Sequence, residues 1–411
     1  MEMSLQAGVI PAHVPPELVW DVDYFDVPGV EKDPHTAWIQ ALEGAPRIFW
    51  TPRNGGHWIV HTFDDNRDVL RDYELFSSFP PSIPSTLVQG PYPQPPVGAD
   101  PPEHTPFREM LQPAFTPRAI VGMEGHIRAL TRDLIDQFMA KGRCEFVNDF
   151  AHRMPIGVFL GLMGLPDSDR ERLLEYAHQR MRGVTEADRI GGAVDLGKYA
   201  EEKLREYREN PRDNLLSRVA NCQINGEPGD LDQLRTLVVT LLLAGLDTVV
   251  NTLSFVARFF AENPERRREF HGFINDDQKV MRATEEFLRR FSVPNIARSS
   301  RGDQIFNGVQ MRAGDPVLAV VIMGGIDAAK YTDPLTVDFD RDPGLQVNFG
   351  AGVHRCIGMH LARMEIRIFL EEWLSRIPEF SLIADEPPKG IGGAVVGLGT
   401  LPLQWPTTQA A

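Results

Sequence analysis

Cysteine is scarce in this chain: Cys144, Cys222 and Cys356 are the only three in 411 residues, far apart and without C-x-x-C spacing. An odd, scattered set of this kind excludes a disulfide framework and a zinc ribbon, and it fits a reducing compartment. Positive charge is also in deficit, with 42 Lys and Arg against 57 Asp and Glu and a net charge of −15. Such a surface lacks the basic patches that phosphate backbones require, so nucleic-acid binding is excluded. Long apolar runs are missing as well. The nearest, Leu237 to Leu246, soon meets Asp247, whereas a membrane span needs roughly 18 apolar residues. The opening MEMSLQAGVIPAHVPPELVW has neither the basic stretch nor the continuous apolar core of a secretory signal. A soluble, cytoplasmic monomer is expected. No internal repeat and no plain linker divides the sequence, so residues 1–411 are expected to form one domain. A chain of this length buries most of its apolar surface without staples.

Residues 78–106 (SFPPSIPSTLVQGPYPQPPVGADPPEHTP) are too rich in proline for a regular helix. Long loops inside compact domains are usually lids or binding loops, and Phe79, Ile83, Leu87 and Tyr92 favour a loop packed over something. Apolar residues recur at helical spacing over 118–140, 231–262, 280–291 and 357–376. The longest of these opens on Asp230 as N-cap and ends before Asn263-Pro264. Strand signals are fewer: Trp58 to Thr62, Val317 to Val321, Ala394 to Val396 and Leu401 to Leu403. The expected fold class is mainly α with a minor β portion, the helices filling 105–376 and the strands lying mainly towards the two ends.

The segment from Asn348 to His360, NFGAGVHRCIGMH, carries the most chemistry. Gly350, Gly352 and Gly358 permit tight turns and close approach to a flat ligand. A helix follows directly, so Cys356 sits at a helix N-terminus, where free N–H groups stabilise a thiolate. Cys144 and Cys222 read as buried hydrophobes. Phe349, Gly352, Cys356 and Gly358 fill F-x-x-G-x-x-x-C-x-G, which resembles the haem-binding loop of cytochromes P450. The resemblance implies the cytochrome P450 fold, with haem b (iron protoporphyrin IX) between the cysteine loop and a long oxygen-binding helix. Cys356 would be the axial iron ligand and Phe349, Gly350 and Gly358 would form the cradle.

Other segments carry the same resemblance. Glu286 and Arg289, three apart on a helix roughly 70 residues before the cysteine, resemble the family's structural pair, and Arg341 is its downstream partner. Pro102 to Arg108 resembles the family's H-x-x-x-R helix start. His104, Arg108, Arg298 and His354 would then converge on the haem carboxylates, which need cationic or hydrogen-bonding partners when buried. Leu243-Ala-Gly-Leu-Asp247-Thr248-Val-Val-Asn251 resembles the oxygen-binding helix. Ala244 and Thr248, four apart, share the face towards haem. Thr248 would bond the dioxygen co-substrate, and Asp247 would relay protons from solvent.

The run AGLDTVVNTLSF, the Phe-Ser-Ser before the proline-rich segment, the spacing to Asp100-Pro-Pro-Glu103 and the final LPLQW resemble the camphor-hydroxylating bacterial branch. That resemblance implies a monooxygenase acting on a C–H bond of a small hydrophobic, terpenoid or norisoprenoid-like substrate. Electrons would come from NADH through a ferredoxin reductase and a 2Fe–2S ferredoxin. Position by position, the pocket would be lined by Tyr92, Ile83, Thr240, Leu243, Val293, Ile296 and Val395. Thr240 and Ile83 stand where the branch has bulkier groups, so substrate size or orientation should differ from camphor. Arg180 and Arg182 are candidate partners of Asp247; Arg67, Arg71 and Arg355 are candidates for ferredoxin docking. A haem-thiolate peroxygenase or isomerase, or a non-catalytic haem sensor, is the alternative, and the Asp247-Thr248 pair counts against each.

Overall fold

The computed structural model describes residues 8–85, 94–182 and 186–407; Tyr92 lies outside them. The protein is 51% helical and 12% strand, mainly α with a minor β portion as expected.

Two N-terminal strands, β1 (Ile48–Thr51) and β2 (His57–Val60), form an antiparallel hairpin with Ile48 opposite Val60 and Thr51 opposite His57. Both are buried along their whole length, which explains why each carries three consecutive apolar residues in place of an alternating pattern. The turn requires glycine at Gly56, because a Cβ there would come within 2.6 Å of the Trp50 ring. β3 (Phe76–Ser77), β4 (Ile296–Ser300) and β5 (Pro316–Ala319) complete a five-stranded sheet in the order β1-β2-β5-β4-β3. β5 runs parallel to β2 with Val317 against Trp58, so the hairpin is closed by chain from far downstream. The β portion is therefore not mainly terminal: β4 and β5 lie inside the stretch expected to be helical. Of the expected C-terminal strands, Leu401 to Leu403 falls largely on a regular strand, Pro402–Gln404, whereas Val395 makes only an isolated bridge to Pro294 and the regular strand beside it is β6 (Gly397–Thr400).

The helix expected over 118–140 is two helices. After α1 (His104–Leu111) come α2 (Pro117–Val121) and α3 (Glu124–Met139). Gly122, a poor helix former, sits at the break. α4 (Arg170–Arg182) precedes α5 (Leu231–Glu262), whose 32 residues fall where periodicity places them. The Asp230 side chain accepts from the backbone of Gln233, and Pro264 blocks extension. α6 (Asp277–Arg290) and α7 (Met359–Arg376) complete the set used below.

α5 is the axle of the larger apolar core, packed against α7 and β6. By length and composition it is apolar enough to cross a membrane, with an 18-residue window of mean hydropathy 1.7, which counting uninterrupted apolar residues does not reveal. Half of that window is buried within the protein. It is a core helix. A second, smaller core lies around Trp50, Trp58 and Val317 on the sheet.

Candidate active site

The cysteine loop is folded by its own backbone. Gly350 N–H donates to Val347 O at 2.7 Å and Cys356 N–H donates to Phe349 O at 2.8 Å. Gly350 and Gly352 have φ of 71° and 66°, and a Cβ on Gly352 would lie 2.6 Å from Arg71 O. Glycine is obligatory at that crossing. The Phe349 ring lies 4.6 Å from the Arg363 guanidinium, which Glu285 holds from the other side. Cys356 follows, exposed, three residues before α7.

The thiolate expected from that helix terminus is not favoured by the protein alone. Although the residue itself is open at the surface, the protein packed around it desolvates the Cys356 thiol and pushes it above its ordinary value, against the Gly358 N–H and the charges of Arg108, Arg363 and Arg355. A ligated cation reverses the balance, because a coordinating thiol is deprotonated outright.

Across the core, midway along α5, Ala244 and Gly245 are exposed, with Leu243, Asp247 and Thr248 part-buried beside them. The Thr248 hydroxyl donates to Ala244 O at 3.0 Å. That bond uses the hydroxyl's one proton and leaves its oxygen free to accept. Asn251, one turn on, donates to Asp247 O at 2.9 Å and to its carboxylate at 3.3 Å. Asn251 is fully buried and its Oδ1 has no partner among the described residues. A Cβ on Gly397 of β6 would fall 1.8 Å from that oxygen. Sequence reasoning missed Asn251, although i,i+4 spacing on one helical face was there to be read. Arg180 lies part-buried on α4; the Arg182 side chain is outside the described residues.

The expected basic residues do come together. His104 is 3% exposed, its ring centroid is 4.6 Å from that of His354, and its Nε2 has no partner among the described residues. Burial, then His354 and Arg108, push His104 down to about 4. Arg108 donates to Arg355 O at 2.5 Å, tying α1 to the cysteine loop. Arg298 on β4 is 6% exposed, and among the described residues its guanidinium bonds only to Ala297 O, at 2.8 Å. Burial lowers Arg298 to about 10 despite Asp100 nearby. His354 Nε2 lies 3.2 Å from Asp100 Oδ1. A buried guanidinium and imidazole with donors to spare fit a ligand that brings carboxylates.

Glu286, Arg289 and Arg341 form a separate, closed cluster. Arg289 pairs with Glu286 at 2.7 and 2.8 Å, and Arg341 Nε reaches Glu286 Oε1 at 3.2 Å. Of the expected substrate residues, Val293, Ile296 and Val395 are brought together by the Pro294–Val395 bridge. Ile83 is buried, and its carbonyl accepts from the Tyr24 hydroxyl. Tyr24 O in turn accepts from Gly393 N–H at 3.1 Å, linking the proline-rich segment to the C-terminal one. Thr240 and Leu243 lie part-buried on α5, just ahead of Ala244. Arg67 does not offer a free docking charge: Asp64 and Asp68 hold it at 2.7 and 2.9 Å. Arg71 and Arg355 are exposed.

An exposed sulfur on one element, a polar notch in a core helix on another and carboxylate-seeking cations beside them together define a haem-thiolate oxygenase. Comparison with known proteins gives the family. The cytochrome P450 family profile matches residues 184–404. A probable cytochrome P450 127A1 of Sinorhizobium fredii (strain NBRC 101917 / NGR234) is 34% identical over 410 residues, covering 98% of both proteins. The crystal structure of cytochrome P450 CYP101C1 gives a TM-score of 0.88 at 34% identity, over 97% of this chain and 100% of that one. The crystal structure of CYP101J2 gives 0.87 at 33% with the same coverages. The chain belongs to the cytochrome P450 family and is a monooxygenase with haem as cofactor and O2 as co-substrate.

Proposed function

We propose that this enzyme hydroxylates a C–H bond of a compact hydrophobic substrate of terpenoid or norisoprenoid type. In this reading it is a single-domain, cytoplasmic monomer that draws electrons from NADH through a ferredoxin reductase and a 2Fe–2S ferredoxin. The observation that carries the reading is the notch in α5: a threonine whose oxygen can accept, beside a carboxylate, in an otherwise apolar helix. A carrier or sensor has no use for a proton path there. When bound, haem supplies dioxygen activation, with the thiolate favouring O–O cleavage.

The chain's own residues do the rest. Cys356 holds the iron. Phe349, Gly350 and Gly358 would shape the loop that holds the haem, and Ala244 would leave room for it on α5. Arg108, Arg298, His104 and His354 bind the carboxylates. Thr248, whose oxygen can accept, would hold a proton-bearing group such as water beside the oxygen site, and Asp247, held by Asn251, would pass protons inward. Ile83, Leu243, Val293, Ile296 and Val395 exclude water from the substrate, while Thr240 and Tyr92 are the polar groups available to orient it. The resemblance of AGLDTVVNTLSF and LPLQW to the camphor-hydroxylating branch supports a compact substrate.

The test is turnover with a reconstituted NADH, reductase and 2Fe–2S ferredoxin chain across a panel of terpenoids and long-chain lipids. Coupled hydroxylation of a compact terpenoid is the expected result. Turnover confined to long lipids would overturn the substrate class, and turnover on hydrogen peroxide alone would overturn the electron route.

A further inference from the structure

Asp100 belongs to no haem-binding motif, yet more of the site hangs on it than on any of the four basic residues. It is 9% exposed and lies in the turn before α1, where its backbone carbonyl accepts from His104 N–H at 2.9 Å. Its carboxylate accepts from Ser77 Oγ at 2.6 Å, from Ser78 N–H at 3.0 and 3.2 Å, from Arg301 at 2.5 Å and from His354 Nε2 at 3.2 Å. Those partners come from the end of β3, the residue after β4, and the cysteine loop. Both oxygens are filled, so the group stays ionised despite its burial.

A fixed negative charge beside a site for an anionic ligand repels that ligand. It is tolerable only if it does something the site needs. Three segments each bring a haem-holding residue: α1 brings His104 and Arg108, β4 brings Arg298, and the cysteine loop brings His354. Asp100 is bonded to α1 at His104, to Arg301 directly after β4 and to the cysteine loop at His354, and Arg301 neutralises it. That leaves Arg108 and Arg298 as two cations for two haem carboxylates. With Nε2 held by Asp100, the polar atom His354 has left is Nδ1.

We propose that Asp100 is the positioning residue of the haem-carboxylate pocket, fixing His354 and the α1 and β4 segments against one another before haem binds. The proposal needs haem binding but not the substrate class, so failure of the terpenoid reading leaves it standing.

The experiment measures haem transfer from the loaded enzyme to excess apomyoglobin, with circular dichroism as the control for folding. Asp100→Ala releases haem about tenfold faster, the size expected when one buried hydrogen-bonded charge is removed. Asp100→Asn, which keeps an acceptor for Ser78 and His354, stays within about threefold. Because Asp100 acts through His354, the double variant Asp100→Ala/His354→Ala releases haem no faster than Asp100→Ala alone. A general loss of packing predicts instead that the two effects multiply. Unchanged release from a folded Asp100→Ala protein, or multiplicative effects in the double variant, overturns the proposal. If Asp100→Ala does not fold, the same cycle is run with Asp100→Ser, which also removes the carboxylate, and multiplicative effects there overturn it equally.

Discussion

Arg289 and Arg298 are buried to nearly the same degree, at 1% and 6% exposure, yet they serve opposite purposes. Arg289 makes five hydrogen bonds: two to Glu286 and three to the carbonyls of Gly325, Pro334 and Thr336. Glu286 is completed by Asp338 N–H and Arg341. Among the described residues Arg298 makes one bond, to the carbonyl of its own neighbour Ala297. A buried guanidinium has five donors and no acceptor. Where the protein fills all of them, it has built a structural clamp. Where it leaves most of them open at full burial, it has built a place for something else. The contrast locates the ligand site without reference to any motif.

Four experiments bear on that contrast. The largest effect belongs to the iron ligand: Cys356→Ala or Cys356→Ser brings monooxygenation to background and removes the thiolate-type carbon monoxide spectrum of the reduced protein. Persistence of that spectrum would show that the open cluster is arranged around the wrong sulfur. Next, Arg289→Leu strands the Glu286 carboxylate and destabilises the fold by about 3–5 kcal/mol, read from denaturant unfolding. Arg298→Leu removes a charge that the haem-free protein does not satisfy, so haem-free stability holds or rises while haem release quickens. Equal destabilisation by the two substitutions would erase the distinction between clamp and site.

Thr248→Ala keeps haem and fold but lowers product formed per NADH several-fold, with hydrogen peroxide rising in its place. Undiminished coupling would remove Thr248 from the oxygen chemistry. The smallest effect is one of pH. His104 is held near 4, below its ordinary 6.5, so the unfolded chain binds more protons than the folded one between those values. The contribution of His104 to haem-free stability is present above about 6.5 and is lost as pH falls towards 4. The denaturation midpoint should drop over that window, and drop less in His104→Gln; parallel curves would show that His104 is not buried in its neutral form.

Much of this was legible in the chain. α5 begins and ends where its periodicity, Asp230 and Pro264 place it. The Glu286, Arg289 and Arg341 cluster was readable because local spacing set two members and an extended run carried the third. The cysteine loop was readable because three glycines and a cysteine at fixed offsets report backbone geometry directly. Part of what escaped depends on contacts between distant segments. Asp100 gives no local signal: its partners at Ser77, Arg301 and His354 meet only when β3, β4 and the cysteine loop are folded. Arg67 looked like a docking charge until α-helical spacing set Asp64 and Asp68 around it. The break at Gly122 was lost because a helical pattern of apolar residues runs on through it.

Gly397 and Asn251 have a consequence for how this protein can change over time. Any side chain at position 397 would occupy the place of the Asn251 amide oxygen, which lies 1.8 Å from where the first carbon would go. The strand is thus a mould cast around one asparagine. A lineage cannot enlarge residue 397 first, because the asparagine blocks it. Shrinking residue 251 first releases the hold on Asp247 and leaves a cavity. The two positions can be revised only in that costly order or together, so a strand far away in sequence restricts which mutations the proton-handling helix can accept.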